Sequence, residues 1–461
     1  MALVGAFIVP HPPLIVPEVG KGQERVVNKS VESYREVAKR IAALKPDTII
    51  ITSPHSIMYS DYFHISPGKT ARGDFGRFGA KKVAFQVEYD EEFVEALEAC
   101  AEKEGIEAGT LGEKEPQLDH GTMVPLYFIN EFLSDYKLVR IGLSGLSFPE
   151  HYRLGKCITK TSEKLNRRIV FVASGDLSHK LKEEGPYGFA QEGVQFDKEI
   201  TEAMKAGDFL HFMEFTPDFC DSAAECGLRS FIIMAGALSG KEVAPELLSY
   251  EGTFGVGYAV CEFKMIGESE QRNFDQIFTE KQRAIAREMQ KNEDPYVHLA
   301  RVSLETYITT GKYAKLPEGL MEDMTKRKAG VFVSLKKHGS LRGCIGTISP
   351  VTENIAKEIL RNAVSSGAED PRFPPVTEDE LPELVYSVDV LGEAEPIKDQ
   401  SELDVKRYGV IVTSGRKRGL LLPNLEGVDT IEQQISIARK KAGIYDNEKF
   451  TMERFEVVRY K

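Results

Sequence analysis

Apolar residues in the first part of the chain come in two alternating kinds of run. Short continuous stretches rich in Val, Ile and Phe, at 2–9, 48–52, 138–143 and 169–173, predict buried strands. Between them apolar positions recur at three- and four-residue steps. Val31, Tyr34, Val37, Ile41 and Leu44 form one such stripe, and helices are predicted over 30–44, 91–102 and about 150–165. Pro10-His11-Pro12-Pro13, Ser53-Pro54-His55 and Ser174-Gly175-Asp176 each follow a strand run and end it. Strands that are apolar throughout need cover on both faces, so the pattern predicts an α/β layer structure with a covered central sheet.

The pattern changes near residue 266. Residues 267–294 are strongly polar, with helical spacing at Phe274, Ile277 and Ile285. The chain is therefore divided into a first domain over 1–265, a polar linker or helix over 266–292, and a second domain over 293–461. In the last of these, helices are predicted at 296–308, 351–366 and 430–442. Strands are predicted at 330–335 and 341–345, a hairpin around Lys336-Lys337-His338-Gly339-Ser340, and again at 384–391, 410–413 and 419–422. This irregular order predicts a separate α+β domain.

Composition narrows the function classes. The 461 residues carry 59 Lys and Arg against 71 Asp and Glu, a formal net charge of −12. That argues against a nucleic-acid protein relying on bulk positive charge, because phosphate binding needs a basic footprint. The two signs nearly balance from Arg301 onward, so the negative excess lies upstream. No apolar run is long enough for a membrane-spanning helix, and the apolar N-terminus lacks the basic start and the length of a secretory signal. The six cysteines form no CxxC pair, and reduced thiols in a cytoplasmic location are expected.

Candidate chemistry concentrates in four histidines. His11, His55 and His179 each fall just after a strand run, in VPHPP, SPHS and SGDLSH, and His120 stands in LDHGTMVPL before another apolar run. Open α/β sheets bind ligands beyond the carboxyl ends of their strands, so side chains on these loops converge. Asp176 stands three residues before His179. Two imidazoles and an acid suit ferrous iron with positions left open. The third ligand is sought at Glu225 or Cys226, just before the apolar run 230–238. Competing readings are a helix cap for Asp176, an exposed helix acid for Glu225 and a small buried hydrophobe for Cys226. His64, His151, His211, His298 and His338 read as surface or structural. In the second domain, Leu341-Arg342-Gly343-Cys344-Ile345-Gly346 offers a guanidinium fork at Arg342 and a thiol at Cys344, nucleophilic or simply packed. The loop 367–375, with Asp370 and Arg372, reads as the other wall of a pocket or as a connecting loop.

The segments VPHPPLIVPE, SPHS, LDHGTMVPL, SGDLSH and ECGLRS resemble, in order, the LigB-like class III extradiol ring-cleavage dioxygenases, a family that includes the Memo proteins. The resemblance covers residues 1–265. It implies His11 and His55 as iron(II) ligands, the ECG segment as the third, and His120 and His179 as pocket histidines for proton transfer beside Asp176. Ring-cleaving members carry Glu at the third position and Memo proteins carry Cys, and ungapped matching favours Cys226 over Glu225. A thiolate there would also suit zinc or copper. LRGCIG, the 367–375 loop, GLLLP and KKAGI resemble the AMMECR family over 295–460. A Memo-like domain fused to an AMMECR domain resembles a bacterial and archaeal system that implies a radical SAM protein as partner. Three functions follow as expectations. One is an iron(II) extradiol-type oxidoreductase acting on a catecholic or related aromatic small molecule. Another is a non-catalytic metal-binding or redox scaffold. The third is an accessory protein in RNA or cofactor modification, with Arg342, Arg372 and Arg416-Lys417-Arg418 on phosphate. A homo-oligomer is compatible with each.

Overall fold

The computed structural model describes residues 2–425, 427–445 and 447–461. It divides into two compact units, Met1–Phe278 and Thr279–Lys461. The division falls inside the helix Phe274–Lys291, so the first unit extends past residue 265.

The first unit is built on six strands: β1 (Leu3–Val9), β2 (Thr48–Ser53), β3 (Lys137–Gly142), β4 (Ile169–Ser174), β5 (Lys241–Glu251) and β6 (Tyr258–Glu268). Their order is β3-β2-β4-β1-β6-β5. The first four run parallel, while β6 is antiparallel to both β1 and β5. Every residue of β2 and β4 is buried, which is why both read as unbroken apolar runs. Alternate side chains feed two cores: Ile50, Val139 and Phe171 lie in one, Ile49, Leu138 and Val172 in the other. The helix Asn28–Leu44 covers the second core through its predicted stripe. Val37 and Ile41 are almost completely buried, each contributing roughly 1.5–3 kcal/mol relative to an exposed side chain. The helices Phe148–Lys164 and Leu228–Ala237 pack on the first core. They cross at Gly155 and Gly236, where any Cβ would collide with the facing backbone.

The hairpin β5–β6 is the element the apolar pattern does not announce. Its edge strand mixes Lys241, Glu242, Glu246 and Pro245 with partly exposed apolar residues, a composition that reads as loop but suits an edge.

The second unit has two four-stranded sheets. One runs Ser340–Gly346, Val331–Lys337, Leu384–Leu391, Val457–Tyr460; the other runs Glu395–Ile397, Thr451–Phe455, Gly409–Ser414, Lys417–Leu421. Helices Pro295–Thr310 and Ile355–Ala368 cover the first sheet, and Ile431–Ala442 packs on the second. The helix predicted from 351 begins only at Ile355, because the buried Glu358 carboxylate takes the Val351 and Thr352 N–H groups and Asn354 caps Lys357 N. With the α/β first unit, this α+β unit completes the predicted fold class.

Candidate metal centre

The centre is assembled at the carboxyl ends of β1, β2 and β4. His11, just beyond β1, is about 1% exposed. Its Nδ1 lies 3.0 Å from Ser174 Oγ, and that hydroxyl donates to Gly121 O at 2.6 Å. A hydroxyl has one hydrogen, so Ser174 accepts from His11 Nδ1–H and leaves Nε2 with a free lone pair. The His11 N–H donates to Asp176 Oδ1 at 2.8 Å. His55, beyond β2, brings its Nε2 to 3.0 Å from His11 Nε2.

Cys226 arrives from the turn before helix Leu228–Ala237, with Sγ 3.7 Å from His11 Nε2. This approach depends on two glycines. A Cβ on Gly175 would overlap Gly227 Cα, and one on Gly227 would strike the Phe231 ring and sit 2.9 Å from Asp176 O. Asp176 N then donates to Cys226 Sγ at 3.4 Å.

His11, His55 and Cys226 thus offer three ligand atoms within 4.8 Å of one another. Donors sharing one ion at bonds of about 2.0–2.3 Å stand roughly 3.0–3.7 Å apart, and the His11–His55 and His11–Cys226 spacings of 3.0 and 3.7 Å fall in that range. The electrostatics agree. Burial, then His55, His120 and His179, lower His11 well below the usual imidazole value, and burial and His55 bring His120 to about 4. Burial raises the Cys226 thiol well above its ordinary value and lifts Asp176 to about 7. Burial thus disfavours the charged forms of these groups, while their donor atoms suit a cation.

The neighbouring residues divide the remaining work. Glu225 turns away from the histidines and accepts from Leu228 N at 2.7 Å, closing the start of its helix. The Asp176 helix cap is not found: no helix starts at Leu177, and the carboxylate holds His11 instead. His120 opens the helix His120–Ile129, with Asp119 accepting from Thr122 N at 3.0 Å. Its ring centroid is 4.0 Å from that of His55 and 5.5 Å from that of His11. His179 donates from Nδ1 to Ala224 O at 2.6 Å, which leaves its Nε2 unprotonated. Four contributors escaped the sequence reading: Ser174, Asp119, Phe78 against His120, and Tyr187 against His179. The Ser and Asp of SGD and LDH were the available signal. A cavity of about 770 Å³ opens from His55 and His120 toward Arg77, Phe78, Met123 and Arg140.

A family model described as the catalytic LigB subunit of aromatic ring-opening dioxygenase matches residues 5–261. A second, AMMECR1, matches residues 297–461. The chain belongs to the LigB family and carries an AMMECR1 domain. A protein of Clostridium acetobutylicum is 46% identical over 472 residues, spanning 100% of both chains. A Thermotoga maritima protein is 52% identical over 171 residues, 37% of this chain and 98% of its own. The crystal structure of an uncharacterised Pyrococcus horikoshii protein has 31% identity over 36% of this chain and 88% of its own, with a TM-score of 0.33.

In the AMMECR1 domain the predicted ligand residues hold the fold together. Arg342 forks onto Glu380 at 3.0 and 2.8 Å and donates to Pro374 O at 3.0 Å. Asp370 accepts from Cys344 N at 2.9 Å, and Arg372 donates to Asp370 at 2.7 Å and to Cys344 O at 3.0 Å. Ser334 donates to Cys344 Sγ at 3.2 Å. The five remaining histidines stand outside the metal centre. His64 and His151 are buried, His298 meets Glu293, His338 meets Glu383, and His211 lies near Glu199. Among the described residues no helix is long and apolar enough to cross a membrane.

Proposed function

We propose that the LigB domain is a mononuclear metal-dependent oxidoreductase of the extradiol type, acting on a catecholic or related aromatic small molecule with iron(II) as its metal. The observation that carries this reading is the convergence of His11 Nε2, His55 Nε2 and Cys226 Sγ on one point beside a cleft large enough for such a ligand. Iron(II), when bound, supplies Lewis acidity toward phenolic oxygens and the electron transfer that dioxygen requires.

The rest of the work falls to the chain. His120, neutral near pH 7, faces the cleft and can take a proton from a phenolic hydroxyl. His179 Nε2 is available to accept or return another, because its Nδ1–H is fixed on Ala224 O. Phe78, beside His120, gives the cleft an aromatic wall. The fused AMMECR1 domain supports a radical SAM protein as partner.

The soft Cys226 donor favours a second reading, a redox or metal-binding scaffold loaded with zinc or copper. The RNA-accessory reading has less support. Lys417 and Arg418 pair with Glu448 and Glu453, and Arg342 with Glu380.

Metal analysis after anaerobic purification separates the first two. Stoichiometric iron, lost in His11→Ala, His55→Ala and Cys226→Ser but retained in Glu225→Gln, supports the first, together with a yellow ring-fission chromophore from some catechol. Stoichiometric zinc or copper, with no turnover across a broad catechol panel after iron loading, selects the scaffold. Metal retained in Cys226→Ser and lost in Glu225→Gln would reject the proposed ligand set.

A further inference from the structure

A second polar cluster lies within the AMMECR1 domain. The register of its first sheet sets Cys344 opposite Ser334 and Ser334 opposite Ser387, so the three side chains form a row on one face. Val333, Leu335 and Val388 fill the other face and are buried. The row itself is only half-buried.

Three cations from separate segments surround it. Arg372, from the loop after helix Ile355–Ala368, donates to Cys344 O. Arg459, on the strand Val457–Tyr460, stands within electrostatic range of the Cys344 sulfur. Lys441, in the last turn of helix Ile431–Ala442, is within electrostatic range of both that sulfur and Arg372. Two of these charges are balanced, Arg372 by Asp370 and Arg459 by Asp389 at 2.7 and 3.0 Å. Lys441 has no carboxylate and no hydrogen-bond acceptor among the described residues. With Arg372 and Arg459 each paired to one carboxylate, Lys441 leaves the cluster with one uncompensated positive charge, which a bound anion would neutralise. Arg372 and Arg459 each carry five N–H donors, more than one carboxylate can accept, so donors remain for such a guest.

We propose that this half-buried sheet face binds the anionic group of a small molecule, a carboxylate or a phosphate, over the Cys344 thiol and between Lys441, Arg372 and Arg459. The thiol makes the proposal measurable. Alkylation of Cys344 in the full chain by iodoacetate, an anion, is compared with alkylation by neutral iodoacetamide, by mass spectrometry of the Cys344 peptide.

The iodoacetate-to-iodoacetamide rate ratio at Cys344 is expected to exceed that of N-acetylcysteine by about tenfold, the scale of electrostatic focusing by clustered like charges. Lys441→Glu, an exposed position, should abolish the excess, and Lys441→Gln should leave an intermediate value. Inorganic phosphate or acetate should slow the reaction. Protection by only one assigns the anion, and protection by both establishes the shared chemistry. A ratio no higher than that of N-acetylcysteine, no response to either Lys441 variant, protection by neither anion, or a thiol that neither reagent reaches would each overturn the proposal.

Discussion

The hydroxyl of Ser174 decides which nitrogen of His11 faces Cys226 and His55. Because it donates to Gly121 O, it can only accept from His11 Nδ1, and the ring presents Nε2 to the centre. Removing such an outer hydrogen bond usually weakens metal binding about 10–100-fold. Ser174→Ala is therefore expected to lower metal affinity by that factor in a chelator-competition titration, with little change in the far-ultraviolet circular dichroism. An unchanged affinity would show that the hydrogen bond does not orient the ring. His11, His55, His120 and His179 were legible because each stands next to an apolar run, where an α/β sheet gathers its loops. Ser174 was not, since a serine before glycine reads as a turn. The choice between Glu225 and Cys226 was also closed to pattern alone. It depends on where the next helix begins, and Glu225 is drawn back by Leu228 N while the thiol continues toward His11.

At the scale of elements, the centre depends on backbone segments 175–176 and 226–227 lying almost in contact. A methyl group at Gly175 would overlap Gly227 Cα and press on the Phe231 ring at 3.1 Å. Overpacking of this kind costs about 1–3 kcal/mol. Gly175→Ala is expected to lower the melting temperature and also to weaken metal binding, because relieving the overlap moves Cys226 away from His11. Gly267→Ala serves as the control, its nearest neighbour being Glu242 Cβ at 3.8 Å. Equal effects of the two substitutions would reject the contact as the cause. The central strands were legible from their apolar runs, since burial on both faces leaves no polar alternation to disguise them. The hairpin β5–β6 was not, because an edge strand tolerates the charges and proline that signal a loop. The delayed start at Ile355 was hidden for a different reason: Glu358, from the helix itself, reaches back and claims the N–H groups of Val351 and Thr352 that an earlier helix start would use.

Across the whole molecule the two domains carry opposite electrostatic liabilities. In the LigB domain, burial lifts Asp197 to about 7, although Tyr250 OH and Ser178 N both donate to it. A carboxyl group raised in this way binds more protons folded than unfolded. Between its unfolded value of about 4 and its folded value, stability therefore falls as pH rises, by up to about 1.4 kcal/mol per unit. In the AMMECR1 domain the sign reverses. The Arg372 bond holds Asp370 at about 2, and Glu380, despite burial that pushes it up, is held at about 2 chiefly by Arg342. Their contribution is present above about pH 4 and is lost as pH falls toward 2. Calorimetry of the metal-free protein should resolve two transitions with different pH responses. The buried histidines of the LigB domain, lowered by burial, act in the opposite direction, so the Asp197 contribution is read as a difference: relative to Asp197→Asn, the wild-type LigB transition should move down between pH 4 and 7, while the AMMECR1 transition should move down below pH 4. Asp197→Asn is isosteric and cannot ionise, so it should shift the LigB slope upward by the Asp197 contribution alone and leave the AMMECR1 response intact. A LigB slope unchanged in that variant would show that Asp197 ionises normally in the folded domain, and the predicted opposition between the two halves would then fail at its first member.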